Sequence, residues 1–210
     1  MVDSVQGTKR RRGRPPATDS QQTWRAILDS ARRLFGERGY GAVTNKDVAN
    51  DAGITTGALY HYVESKLDLY VAVDVDLQEN VYARFVDAVA STETFAGKLD
   101  AVLEAAHDMA AEDETVVYFI GAVRTDMRRF PEISERLSKA VHAREQFFVD
   151  LVDVGIGTGE IDPADRALVA EFIRTILLGL TAGSTPSLEH HRQAIDGVKA
   201  LLRGDLIRTV

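Results

Sequence analysis

Between Thr44 and Lys66 the chain reads TNKDVANDAGITTGALYHYVESK. This stretch gathers side chains suited to a polyanion rather than to bond-breaking chemistry. Thr44, Lys46, Thr55, Thr56, Gly57, Tyr60, His61, Tyr62 and Lys66 offer hydroxyls, ring edges and ammonium groups. A Thr hydroxyl bonds bases or phosphates, and its methyl group contacts a thymine methyl. Small residues such as Gly57 let a backbone come close to a groove. Lys66 stands at a helix start, where the dipole and its own charge both favour a phosphate. Upstream, Arg12 and Arg14 flank Gly13 and precede Pro15. Arginines on either side of a flat glycine suit a narrow minor groove, where the potential is most negative. A solvated basic tail is the plain alternative for this segment.

The elements that must hold these groups can be read from local signals. Thr44 caps a helix with Asp47 in the capping-box position, where Glu or Gln is usual. Val48 and Ala49 form its apolar side. Gly53 suits the left-handed turn after it, and Thr55 caps a second helix over Thr56 to Tyr62 with Leu59 inward. Two helices joined by such a turn form a helix-turn-helix unit, whose second helix enters a DNA major groove. An earlier helix over 22–38 carries Trp24, Ile27, Leu28, Ala31, Leu34 and Phe35 on one face and stops at Gly39. Ser65, with Asp68 three residues on, opens a long helix through Leu69, Tyr70, Val73, Leu77, Val81, Phe85 and Val89. That helix is long enough to link the unit mechanically to the rest of the chain.

The 210 residues are 45% hydrophobic and 27% charged, an ordinary globular composition with no cysteine. Disulfides and Cys-containing zinc sites are excluded. No apolar run has the length of a membrane span, and the polar, basic start is not a secretory leader. A cytoplasmic location is expected. The net charge of −7 divides unevenly: residues 1–66 hold 11 Lys and Arg against 7 Asp and Glu, residues 67–210 hold 14 against 25. A basic front therefore precedes an acidic remainder, which suggests that only the front meets a polyanion. Residues 1–20 lack apolar periodicity and are read as a disordered basic arm. Its Arg12-Gly13-Arg14-Pro15 resembles the core of an AT-hook peptide, and its place before a helix-turn-helix favours groove binding over a bystander tail.

Catalytic patterns are absent. The histidines, at 61, 107, 142, 190 and 191, make no His-x-x-x-His pair, and there is no Gly-x-Ser-x-Gly elbow. No metal and no cofactor is expected. Gly155, Gly157 and Gly159 lack nucleotide-loop spacing and a preceding strand, and are read as a loop between helices. His107, beside an apolar stripe, reads first as a core or boundary residue and second as pocket lining.

Beyond residue 90 every periodic segment is helical. Apolar stripes mark helices over Phe95 to Met109, over Val116 to Val123, and from Pro131 past Leu151. Asp162 and Pro163 start a further helix, apolar nearly all round, and a last one carries Ala194 to Leu202. These two expose more apolar surface than one small domain buries, so self-association is expected.

Ile27 to Leu69 resembles the N-terminal domain of the TetR family of bacterial transcriptional regulators. The resemblance is carried by Ile27, Ala31, Leu34-Phe35 and Gly39-Tyr40, then by Thr44, Asp47-Val48-Ala49 and Ala52-Gly53-Ile54, then by Gly57, Leu59-Tyr60, Ser65-Lys66 and Leu69. One departure stands at the end of the recognition helix. The family pattern Leu-Tyr-any-His-Phe reads Leu59-Tyr60-His61-Tyr62-Val63 here, so Tyr62 replaces a phosphate-contacting His. The resemblance implies an all-α chain: an arm over 1–20, a three-helix DNA-binding domain over 21–66, and a larger ligand-binding and dimerisation domain over 67–210. It implies a homodimer on a pseudo-palindromic double-stranded operator, most simply a repressor and not an enzyme. A small hydrophobic or amphipathic effector would release it. The pocket is expected from Phe95, Leu99, Leu103, His107, Phe119, Ile120, Val123, Phe147 and Phe148. The dimer interface is expected from Ile173, Leu177, Leu180, Ile195, Val198 and Leu202. The alternative is an architectural DNA-binding protein with no effector.

Overall fold

The computed structural model describes residues 17–181 and 187–206, with side chains over 20–138, 145–181 and 187–206. Among them the order is α1 (Ala17–Arg38), a 3-10 turn (Tyr40–Ala42), α2 (Asn45–Asp51), α3 (Thr56–Leu59), α4 (Lys66–Val89), α5 (Phe95–Glu112), α6 (Glu114–Arg129), α7 (Pro131–Thr158), a second 3-10 turn (Pro163–Asp165), α8 (Arg166–Leu180) and α9 (Leu188–Leu202). The all-α expectation holds, with no strand among the described residues.

Local chemistry sets most of the boundaries. Thr44 and Asp47 complete the capping box of α2: the Asp47 amide donates to Thr44 Oγ1 at 3.2 Å, and the Thr44 amide donates to Asp47 Oδ2 at 2.9 Å. Gly53 takes φ 70° after α2. Its amide bonds the Asn50 carbonyl, and the Ile54 amide reaches back to Ala49 at 2.9 Å. This paired return closes the helix end with a left-handed residue, which only glycine adopts without cost.

Three boundaries differ from the sequence expectation. First, α1 begins at Ala17, inside the segment read as unstructured; Ala17 to Gln21 contains no Gly or Pro to stop it. Second, α3 is four residues long, and the chain from Tyr60 to Tyr62 winds on as a tighter turn. Third, the glycine cluster is not a loop. α7 runs through Gly155 and Gly157, and only Gly159, at φ 79°, ends it. Gly155 is a packing residue: a Cβ there would stand 2.9 Å from Phe95 Cβ.

The core is continuous from the first helices into the later ones. Ile27, Phe35, Val48, Leu59 and Leu69 belong to one buried cluster with Phe119, Val123, Ile133 and Leu137. Its aromatic centre stacks Phe35, Tyr40, Phe119 and Phe130 around or beside Tyr70, with neighbouring centroids 4.9–6.1 Å apart. A second cluster joins Leu99, Leu103, Phe148, Val152, Ile173 and Ile195. This corrects part of the expected dimer interface. Ile173, Leu180 and Ile195 are buried within the protomer, and Leu177 is half-buried against both clusters. The apolar groups that α8 and α9 leave exposed are Leu168, Phe172, Leu188, Leu201 and Leu202. A helix apolar nearly all round does not tell from its sequence which face turns inward.

The most extensive helix pairing is α1 with α6. It depends on Gly36, where a Cβ would lie 3.0 Å from the Phe119 amide nitrogen and 3.2 Å from Tyr118 Cβ. Gly36→Val must push the two backbones apart. Overpacking of this kind costs about 1–3 kcal/mol, and urea unfolding of the variant should show its midpoint lowered accordingly. An unchanged midpoint would mean that α1 and α6 are free to separate.

Candidate nucleic-acid interface and effector cavity

The exposed face of the helix-turn-helix carries most of the expected contacts. Thr44, Lys46, Thr55, Gly57, Tyr60 and His61 are exposed, Tyr60 at 53%, while Leu59 and Val63 are buried beneath them. Thr55 caps α3 by accepting from the Ala58 amide at 3.1 Å, which leaves its own hydroxyl hydrogen free to donate. Thr44 is different. Its hydroxyl donates to Asp47 Oδ2 at 2.6 Å and its amide is used as well. These two bonds hold the Asp47 carboxyl below the usual carboxylate range and leave Thr44 without a spare donor.

Two other residues are partly engaged inside the chain. The Tyr62 ring lies on Trp24, with centroids 5.7 Å apart and planes at 6°, so this position serves packing between α1 and the end of the recognition segment. Lys66 Nζ donates to the Tyr40 carbonyl at 2.8 Å and sits 4.1 Å above the Tyr40 ring. The ammonium keeps further donors, but its position is set by the turn after α1. Thr56 is half-buried. Arg12 and Arg14 lie outside the described residues.

Helix α6 ties this unit to the rest of the chain. Near its C-terminus, Asp126 is 3% exposed and accepts from the Tyr40 amide at 2.9 Å and the Tyr70 hydroxyl at 3.0 Å. Burial and the neighbouring Asp126 carboxylate push the Tyr70 phenol well above its usual value, so it stays a donor. At the other end, Arg32 of α1 donates from Nε to Thr115 Oγ1 at 2.9 Å and from Nη2 to Asp113 Oδ2 at 2.6 Å.

The opposite side of α6 borders a cavity of about 280 Å³, near the lower end of the usual range for small-molecule sites, ~300–1,000 Å³. Val116, Val117, Ile120, Val123, Arg124 and Met127 of α6 line it, facing Val81, Tyr82 and Phe85 of α4. Met109 of α5, Phe148 of α7, Leu177 and Leu178 of α8 and His191 of α9 close it. Charged groups come from Arg124, Glu145 and Arg174, the last bonded to both Glu145 and Glu171. Arg124 has no ion-pair partner among the described residues.

A family profile described as bacterial regulatory proteins, tetR family, matches residues 27–73. The transcriptional repressor KstR2 of Mycobacterium tuberculosis (strain ATCC 25618 / H37Rv) is 31% identical over 152 residues, 70% of this chain and 74% of its own. The chain belongs to the TetR family of bacterial regulatory proteins. The UidR regulator of Escherichia coli (strain K12) is 23% identical over 191 residues, 90% of this chain and 95% of its own. Among solved structures, Salmonella enterica GusR has a TM-score of 0.73 at 23% identity, covering 90% of this chain and 98% of that one. The solved structure of the KstR2 relative is described as a ketosteroid transcriptional regulator. The named relatives are transcriptional regulators, not enzymes, and this chain is a regulator of the same family.

Within that TetR-family frame the cavity takes three of its nine expected residues: Ile120, Val123 and Phe148 line it. Phe95, Leu99, Leu103, Phe119 and Phe147 do not. Leu99 and Leu103 fill the second core cluster, Phe119 meets Tyr70, and Phe147 stacks on Phe85. A helical stripe marks burial, and burial does not separate core from cavity wall. His107 stands one residue behind the wall, with its Nδ1 3.0 Å from Nδ1 of His191. Sequence reasoning missed His191 itself: it continues the α9 stripe one turn before Ala194 and Ile195, but its chain neighbours Glu189, His190, Arg192 and Gln193 are polar, so the stripe was begun at Ala194. No helix among the described residues is long and apolar enough to cross a membrane.

Burial first, then His107 and the Arg192 charge, push the His191 imidazole below its ordinary 6.5. The unfolded chain therefore takes up this proton at higher pH than the folded one. Stability falls as pH drops below about 6.5. Urea midpoints at pH 7.5 and 5.5 should fall further in the wild type than in His191→Phe. An equal fall in both proteins would mean that His191 is not held neutral.

Proposed function

We propose that the chain is a dimeric, ligand-responsive repressor that binds a pseudo-palindromic double-stranded operator through α2 and α3 and is released by a hydrophobic or amphipathic effector. In this reading the basic arm expected over residues 1–20 gives way to α1 at Ala17, the DNA-binding domain runs to residue 66, and 67–210 form the ligand-binding and dimerisation domain. One observation carries it. Helix α6 is the wall of the apolar cavity on one side and the partner of α1, Tyr40 and Tyr70 on the other. A ligand that fits the cavity better in one position of α6 therefore favours one placement of the recognition segments. The shift is limited to the difference in its affinity for the two states. The ketosteroid description of KstR2 supports an apolar effector, and the apolar lining with Arg124, Glu145 and Arg174 supports an amphipathic one.

The test has two parts: selection of genomic fragments bound by the purified protein, then a screen for compounds that release them. Binding that no compound relieves would favour an architectural DNA-binding protein. Tyr60→Ala should weaken binding to all sequences alike, since the exposed Tyr60 is assigned to a phosphate; a change in sequence preference alone would overturn that. Replacing Arg12 and Arg14 by Ala should lower the salt dependence of binding by about 0.9 per lost contact. An unchanged slope would leave the arm outside the interface. For the dimer, the exposed Phe172 is a better probe than the buried positions. Phe172→Asp should give monomers by sedimentation with weak operator binding, and a monomer of full affinity would sink the two-fold reading.

A further inference from the structure

One polar group in the cavity differs in kind from the others. Arg124, Glu145 and Arg174 are half-buried or exposed, within reach of water, whereas His191 is 4% exposed. Its ring stacks on His107, with centroids 5.3 Å apart and planes at 21°. The two Nδ1 atoms are 3.0 Å apart, a hydrogen-bond distance that requires one hydrogen between them.

That shared hydrogen determines the other ends of both rings. The ring donating from Nδ1 has a bare, accepting Nε2; the ring accepting at Nδ1 carries its hydrogen on Nε2 and donates there. The neutral pair thus presents one acceptor and one donor at its two outer nitrogens. Which one His191 presents depends on the side from which the bridging hydrogen is held. No described residue bonds His191 Nε2. A wholly apolar ligand that filled the cavity against His191 would leave this nitrogen unpaired, and an unsatisfied buried polar atom opposes binding. A full negative charge would be matched poorly by a neutral imidazole, whereas a neutral oxygen satisfies either form of the ring.

We propose that His191 is the polar anchor of the cavity, and that the effector is an apolar molecule bearing a neutral hydrogen-bonding oxygen, a hydroxyl or a carbonyl, that seats on His191 Nε2. This rests on the reading of the cavity as the effector site. His107 acts as a positioning residue: it holds the His191 ring and sets its tautomer through Nδ1.

The test displaces the neutral fluorescent probe Nile red from the full-length protein with 1-decanol, 2-decanone and 1-chlorodecane, which share a chain and differ in the terminal group. The alcohol and the ketone should bind about tenfold more tightly than the chloride, the difference one satisfied hydrogen bond makes. His191→Phe should abolish that preference by weakening the two oxygen-bearing probes, with the chloride unchanged. His191→Gln, which keeps a neutral donor and acceptor, should retain much of it, and circular dichroism verifies the fold of each variant. His107→Leu should reduce the preference and remove the nitrogen-NMR signature of a shared Nδ1 hydrogen at His191. Equal binding of all three probes to the wild type would overturn the anchor while leaving the cavity an effector site. So would Phe and Gln variants that behave alike. Displacement by none of them would overturn the effector cavity itself.

Discussion

Asp126 is a carboxylate shut away from water, and it can stay there only because two protein donors meet it. One is the Tyr40 amide, in the turn that ends α1; the other is the Tyr70 hydroxyl, on α4. Both donors meet the same oxygen, Oδ2, so losing the Tyr70 hydroxyl would leave it a single protein partner, and a hydrogen bond to a charged group is worth about 1.5–3 kcal/mol. The turn leading into the helix-turn-helix, the helix leading out of it and α6 are therefore held at one point. Gly36 holds α1 against α6 farther along by letting two backbones nearly touch, and Arg32 fixes the start of α6 through Asp113 and Thr115. These three attachments join α6 to α1, to the turn after it and to α4.

The two sides of α6 explain the layout of the chain. Asp126 and Phe119 face the first three helices and α4, whereas Val116, Ile120 and Met127 face the cavity. Packed interiors change arrangement in discrete steps rather than by smooth deformation. The wall of the cavity is thus linked through Asp126 to Tyr40, and through the Tyr40 carbonyl to Lys66 at the start of α4. Charge is divided along the same line, with the basic surplus in residues 1–66 and the acidic one beyond.

Much of the DNA-binding unit was legible in the sequence because its signals are local. Thr44 with Asp47, Gly53, Thr55, and Ser65 with Asp68 each act within four residues, and the structure forms each of them as a cap or a turn. The cavity was only partly legible. Ile120 and Phe119 are neighbours on one apolar helix, yet one lines the cavity and the other packs on Tyr70. The glycines near 157 look like a loop in sequence, but Gly155 lies inside α7 and is a glycine because Phe95 and Ile161 leave no room for a Cβ.

By itself the sequence determined the helix periodicities, the caps, the recognition segment and the separation of basic from acidic halves, because each depends on residues close together in the chain or on composition. The tertiary structure alone decided which apolar faces turn inward on α8, that Tyr62 is stacked on Trp24, that Asp126 joins Tyr40 to Tyr70, and that His107 meets His191. Those pairings join residues 38 to 86 positions apart. No local spacing encodes them, because they exist only once whole helices have packed and the burial of one partner makes the other necessary.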